Sequence, residues 1–225
     1  MPAQLLPISD FIAPPRPHRN NDDHELIELI MRMNAGSLAY LGVPASLIYR
    51  LAGLCRRWSP DLQTFVAQAL RHTGNVDNFL VQPAAADHHT NVHGLLETSL
   101  TAAEFVINPR HDARTLEPLP DDIDDMEQVC SVAAFLFDLG KVFDAVPGND
   151  RPRMKAVTLR PHTDLSRCWR SSWKALGNRN PVIAAWMHHL GRRTPSKAPP
   201  VEIARRLTRN AVKAAWAAPS TLGHR

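Results

Sequence analysis

The chain has 225 residues, of which 44% are hydrophobic and 21% charged. That suffices for one ordinary domain with appendages and matches average globular usage, so wholesale disorder, a collagen-like repeat and a membrane-embedded chain are excluded. The formal net charge of +4 hides an asymmetry, because residues 1–150 carry 10 Lys and Arg against 20 Asp and Glu, whereas residues 151–225 carry 16 against 2.

A basic third of this density suits a polyanion such as DNA, and it suits equally a dock on the acidic two-thirds of the same chain. No apolar run approaches the roughly eighteen residues of a membrane span. The opening MPAQLLPISDF has neither a basic n-region nor an apolar h-region, so a cytoplasmic protein with no membrane partner is expected. Cys55, Cys130 and Cys168 are odd in number and widely spaced, which disfavours both a disulfide framework and a zinc knuckle.

Residues 1–22 hold Pro7, Pro14, Pro15 and Pro17 and read as an extended N-terminal arm. Helical signals follow. Asp22 or Asp23 precedes Leu26, Ile27, Ile30 and Met33 at helical spacing, with Gly36 as a stop. Pro44 stands at the expected N1 position before ASLIYRLAGLCRRW, and Ser59-Pro60 repeats a cap-then-proline start before DLQTFVAQALRHTG. A fourth helix is expected from about Val92 to Ile107, and a fifth after the acidic run Asp121 to Asp125, closing at Gly140. Pro147-Gly148-Asn149 reads as a turn, with a small hairpin reaching KAVTL. Helices return at Leu165 to Leu176, after Asn180-Pro181, and from Val201 to Trp216. The last places Val201, Ala204, Leu207 and Ala211 on one side and Arg205, Arg206, Arg209 and Lys213 around the other. With no βαβ alternation and no long repeat, the expected class is all-α, with at most a small β-hairpin.

Two stretches carry chemistry. VQPAAADHHTNVHGLLETSLTAAEFV spans residues 81–106, and VAAFLFDLGKVFD spans residues 132–144. The second resembles the helix of the HD phosphohydrolase superfamily that ends in a His-Asp pair before Leu/Ile-Gly-Lys. The first resembles its partner helix, which reads Gly-Gly-Leu-Leu-x-His-Ser-Leu. With His88 and His89 upstream, and with LAGLCRRWSPDLQTFVAQALRHTGNVDNFLVQPAA before them, the region is most similar to the N-terminal domain of TraI-type relaxases of the MobH class, found on integrative and conjugative elements. The resemblance covers about residues 45–190. It implies an HD-domain-like helical bundle over residues 23–190, followed by a basic C-terminal helix and tail over residues 191–225.

In an HD site two neighbouring helices bring a histidine and an adjacent His-Asp pair onto a divalent metal that activates water for attack on phosphorus. Here Thr98 stands at the first histidine and Phe137 at the second, leaving Asp138 alone. The resemblance therefore implies a scaffold whose usual metal site is lost, with no cofactor expected. Of the triple histidine of the relaxase class, His88 and His89 remain while Thr90 replaces the third, and His93 lies nearby. If residues 88–93 opened a helix, His89 and His93 would sit one turn apart and could share a ligand; the expectation is instead that the His88 and His89 rings cap or pack against the helix start, bonded to neighbouring carbonyls or to Asp87. Without a metal, Asp138 needs another cation, and Lys141 or a nearby histidine is the expected partner. His188-His189 offers at most one ring to any such set.

Trp169, Trp173 and Trp186 are interleaved with Arg160, Arg167, Arg170, Lys174, Arg179, Arg192 and Arg193. Such a mixture can stack bases and hold phosphates, although the spacing of Trp169 and Trp173 also describes a buried stripe, which is the expectation. Arg192, Arg193, Lys197, Arg205, Arg206, Arg209 and Lys213 are the expected phosphate contacts. The function that follows is a catalytically degenerate, relaxase-like DNA-binding protein of a mobile element, regulating transfer or transcription. Its alternatives are a metal-dependent (Mn or Mg) DNA nuclease or phosphohydrolase using His88, His89, His93 and Asp138, and a protein-interaction module that self-associates or binds a protein partner.

Overall fold

The computed structural model describes residues 42–72, 76–85, 89–108, 124–143, 145–146, 153–154, 165–191 and 198–222. The N-terminal arm and the helix expected after Asp22 lie outside these residues. Among the described residues the architecture is all-α apart from one two-residue ladder. In chain order come α1 (Ala45–Cys55), α2 (Pro60–His72), α3 (Val76–Val81), α4 (Gly94–Ile107) and α5 (Asp124–Phe135). A 3₁₀ turn (Leu139–Phe143), β1 (Ala145–Val146), β2 (Arg153–Met154), α6 (Leu165–Arg179), α7 (Pro181–Gly191) and α8 (Pro199–Ala217) complete the order. The strands are antiparallel, pairing Ala145 with Met154 and Val146 with Arg153. The connecting turn and the KAVTL segment expected to belong to the hairpin lie outside the described residues.

Helix starts follow their local chemistry with three corrections. Pro44 is the N-cap of α1 and not its N1 residue: its ψ of 136° is extended, and its carbonyl accepts from Leu47 and Ile48. Ser59 precedes α2 as expected, but its hydroxyl makes no capping bond; its carbonyl accepts from the Gln63 N–H, and its own N–H donates to Gln128 Oε1. The fourth helix begins at Gly94, two residues later than expected, because His93 adopts φ 70° and cannot belong to it. Asn180 does cap α7, its Oδ1 accepting from the Ile183 N–H at 3.1 Å.

The fifth helix stops at Phe135, before the expected Gly140. The chain then tightens through the bonds Phe137 N–H to Ala134 O, Leu139 N–H to Leu136 O and Lys141 N–H to Asp138 O. This i to i+3 winding eclipses side chains three residues apart, and it thereby sets Lys141 directly over Asp138.

Leu62, Phe65, Leu95, Leu96, Leu100, Phe135 and Leu139 are fully buried in a core that gathers α1 to α7. A second apolar cluster joins Ala102 and Val106 of α4, Met126, Cys130 and Ala134 of α5, and Ala204, Leu207, Ala211, Val212 and Ala215 of α8. Small residues on α8 let its backbone come close, and α4 accordingly packs as extensively on α8 as on α5. The basic C-terminal helix is thus one wall of the core. Arg50 of α1 adds a two-pronged ion pair to Glu104 of α4, at 2.6 and 2.9 Å.

Gly94 marks the tightest approach in this frame. The His89 carbonyl, which accepts from the Ala84 N–H at 3.0 Å, lies only 2.0 Å from where a Cβ on Gly94 would stand. Backbone is on the other side of that contact, so no side chain can swing away. Gly94→Ala is expected to cost about 1–3 kcal/mol by overpacking, seen as a lower urea midpoint at unchanged slope.

Candidate functional site

The HD-like comparison turns on Asp138, and the structure surrounds it with a cation and an indole. Its Oδ2 accepts from Lys141 Nζ at 3.0 Å and from Trp216 Nε1 at 3.0 Å, while Lys141 Nζ stands 5.3 Å from the centroid of the Trp216 ring. Asp138 and Lys141 are both buried. The aspartate is therefore charge-compensated from its own 3₁₀ turn, and the tryptophan at the end of α8 closes over the pair. The two positions at which the family carries histidines are occupied in other ways. Thr98 donates its hydroxyl to the Gly94 carbonyl at 2.8 Å, within its own helix, and Phe137 packs half-buried against the α4–α5–α8 cluster.

A second polar cluster lies at the start of α4. Glu97 is buried among apolar neighbours, yet its carboxylate receives a hydrogen bond from Ser220 Oγ at 2.6 Å, from Thr221 N–H at 2.5 Å and from Thr221 Oγ1 at 2.6 Å. His89 Nδ1 lies 3.1 Å from Glu97 Oε2, and His89 Nε2 lies 3.0 Å from the Ala215 carbonyl. A ring with acceptors on both sides satisfies both of them only as the imidazolium. The hydrogen bond to Glu97 is the main force raising the His89 pKa above 6.5, working against burial. Burial pushes Glu97 up, but the donors from His89, Ser220 and Thr221 outweigh it and hold the carboxyl at about 2.

His89 and His93 do not stand one helical turn apart. His89 has φ 45° and His93 φ 70°, so the backbone turns at both, and the rings serve different acceptors. His93 Nδ1 meets the Leu80 carbonyl at 2.7 Å while its N–H donates to the Val81 carbonyl, fastening the loop after α3 to the helix start. The spacing that a ligand shared by His89 and His93 would need is not present, and the packing expected of His89 near the helix start is seen in its bonds to Glu97 and the Ala215 carbonyl. His88 and Asp87 lie outside the described residues. His188 packs edge-on against Trp173 at 5.1 Å, and the His189 carbonyl accepts from Arg205.

The expected phosphate contacts divide. Arg205 is buried, its Nε and Nη2 both donating to the His189 carbonyl at 2.9 and 2.5 Å; it ties α8 to α7 and is withdrawn from the solvent-facing set. Arg206, Arg209 and Lys213 are exposed. Arg192, Arg193 and Lys197 lie outside the described residues. Trp173 and Trp186 are half-buried against the core, as the stripe reading predicts; nothing is described of the Trp169 side chain. Burial pushes the thiols of Cys55 and Cys130 up to about 12, which makes both poor nucleophiles and poor metal ligands.

Sequence reasoning missed Glu97, Trp216, Ser220 and Thr221. The signal for Glu97 was present: a carboxylate within the apolar run GLLETSL needs donors from elsewhere. Apart from His89, nothing local identified the donors, Ser220 and Thr221, which come from more than 120 residues away.

Among the described residues no group of three or more His, Cys, Asp or Glu is arranged to hold a metal, and no helix is long and apolar enough to cross a membrane. An ammonium 3.0 Å from Asp138 and a His89 ring with both nitrogens engaged do not fit a divalent ion, which needs carboxylate and imidazole lone pairs. Comparison with protein families, with curated proteins and with solved structures finds no match.

Two measurements probe these clusters. Lys141→Met strands a buried carboxylate and is expected to cost about 3–5 kcal/mol, and Asp138→Leu in the same chain is expected to restore most of it in chemical denaturation. The Glu97–His89 pair sets a pH window. Glu97, lowered from 4.5, contributes fully above pH 4.5 and loses its contribution as pH falls toward about 2. His89, raised from 6.5, contributes fully below pH 6.5 and loses its contribution as pH climbs through its folded-state value. The Tm difference between the native chain and Glu97→Gln is expected to be largest between pH 4.5 and 6.5, narrowing on either side.

Proposed function

We propose that the protein is a non-catalytic, HD-like helical DNA-binding protein with a regulatory role, acting on transfer or transcription of a mobile element as the resemblance implies. The observation that carries this reading is the way the cations are sorted. Lys141 and Arg205 turn inward onto buried acceptors, whereas Arg206, Arg209 and Lys213 turn outward on one face of α8. Inward cations neutralise what a catalytic centre would need to keep available, and outward cations at i, i+3 and i+7 form a stripe suited to phosphates.

The asymmetry of charge supports the same reading. The acidic part of the chain is met by the C-terminal helix and tail chiefly through neutral donors, Trp216, Ser220 and Thr221. Those bonds use neutral groups, and Arg206, Arg209 and Lys213 are exposed on α8. Arg179 of α6, paired with Asp61 of α2 at 3.3 Å, shows the other use of a basic residue.

A gel-shift series at stepped salt tests the reading. Each of Arg206→Ala, Arg209→Ala and Lys213→Ala is expected to reduce the slope of log K against log salt by about 0.9, while Arg205→Ala lowers Tm and leaves the slope unchanged. Binding is expected to persist in EDTA, and supercoiled DNA to stay uncut in manganese or magnesium. Nicking that disappears with His89→Ala would establish the metal-dependent alternative instead.

A further inference from the structure

We propose that the outward face of α1 is the dock of the chain's own N-terminal segment, residues 22–41, which runs back antiparallel to α1 and brings its carboxylates to Arg56 and Arg57. Three observations carry the proposal. The first is the face itself. α1 buries Leu47, Leu51, Leu54 and Cys55 and presents Ala45, Ser46, Tyr49, Gly53, Arg56 and Arg57 on the far side, within about a third of the helix circumference. Tyr49 leaves 76% of its surface open. One turn on, a Cβ at Gly53 would meet nothing within 4 Å. Glycine inside a helix is destabilising relative to alanine, and no described neighbour crowds this one. A flat spot one turn from an exposed ring is a surface onto which a second helix packs.

The second is charge. Arg56 and Arg57 are exposed at the C-terminal end of this face, and among the described residues neither meets a carboxylate; Arg57 Nη1 donates to the neutral Asn108 Oδ1 at 3.3 Å. Residues 22–28 supply Asp22, Asp23, Glu25 and Glu28, on the stretch whose Leu26, Ile27, Ile30 and Met33 recur at helical spacing. Apolar cover for Tyr49 thus comes on the same stretch as the anions that match the arginines. A second copy offers no such match. Antiparallel pairing of two α1 helices sets the arginines against a first turn with no acidic residue and at the positive end of its dipole, while parallel pairing sets arginine against arginine.

The third is where the chain enters. Gly42 has φ 65°, Val43 is buried and Pro44 caps α1, so the chain is fixed at the end of α1 remote from the arginines. A left-handed glycine with proline two residues on is a common junction between one helix and the next, and short connections make antiparallel neighbours. Glu28 lies 14 residues before Gly42, and Arg56 lies 14 residues after it. Two runs of equal rise folded at Gly42 bring that pair side by side.

Hydrogen–deuterium exchange read by mass spectrometry on the full-length chain tests the dock, with light scattering for its mass. Peptides from residues 22–41 are expected to exchange at least about tenfold more slowly than an unfolded chain. Tyr49→Glu is expected to remove about tenfold of that protection by breaking the apolar cover. Arg56→Glu and Glu28→Arg should each remove about three- to fivefold, as an exposed ion pair allows, and the two together should restore it to within about twofold. Unchanged protection of α4 peptides shows in each variant that the body remains folded. The proposal is overturned by a native chain without protection over residues 22–41, by protection that ignores Tyr49→Glu and the charge swap, or by a dimer that Tyr49→Glu turns into monomer, which would make a second copy the occupant.

Discussion

Glu97 is the group on which the arrangement of this molecule depends. It sits in the first turn of α4, in surroundings that penalise a charge, and it stays ionised because His89 and the chain beyond α8 both deliver donors to it. Two carboxylate oxygens thereby join the loop and start of α4 to the C-terminal tail, more than 120 residues away. The Ala215 carbonyl, accepting from the far side of the His89 ring, makes the connection continuous from α8 through the imidazole to the carboxylate. Remove the charge, and every member of that chain loses a partner at once.

Asp138 repeats the device at the end of α5, with the same helix supplying a lid. The carbonyl that accepts from His89 and the indole that donates to Asp138 belong to the neighbouring residues Ala215 and Trp216. The final turn of α8 therefore reaches both clusters, accepting from His89 through the Ala215 carbonyl and donating to Asp138 through the Trp216 indole. At this end the fastening bonds to Glu97 and Asp138 come from the neutral Ser220, Thr221 and Trp216, while Arg206, Arg209 and Lys213 are exposed. Arg205, buried on the His189 carbonyl, secures the N-terminal half of α8 through a backbone acceptor.

Much of the helical layout was legible because local rules governed it. Pro60 and the Asn180-Pro181 start, the apolar side of α8 at Val201, Ala204, Leu207 and Ala211, and the Lys141–Asp138 pairing all follow from spacing and from the cost of an unpaired buried charge. The errors are equally local in origin. Positive φ at His89 and His93 broke the helical spacing on which a shared ligand depended, and positive φ at a histidine has no reliable sequence mark. The early end of α5 likewise came from a change to 3₁₀ winding that the apolar pattern of FLFDLG does not betray.

The amino-acid sequence by itself determined the all-α class, most of the helices, the separation of acidic and basic parts, and the need of Asp138 for a cation, because each depends on periodicity, capping or charge within a few residues. Only the tertiary structure decided which of the α8 cations face water, that Trp216 belongs to Asp138, and that Ser220 and Thr221 answer Glu97. Those outcomes rest on contacts across 78 to 124 residues, and a donor's partner at such separation is chosen by how helices pack, which no local spacing encodes.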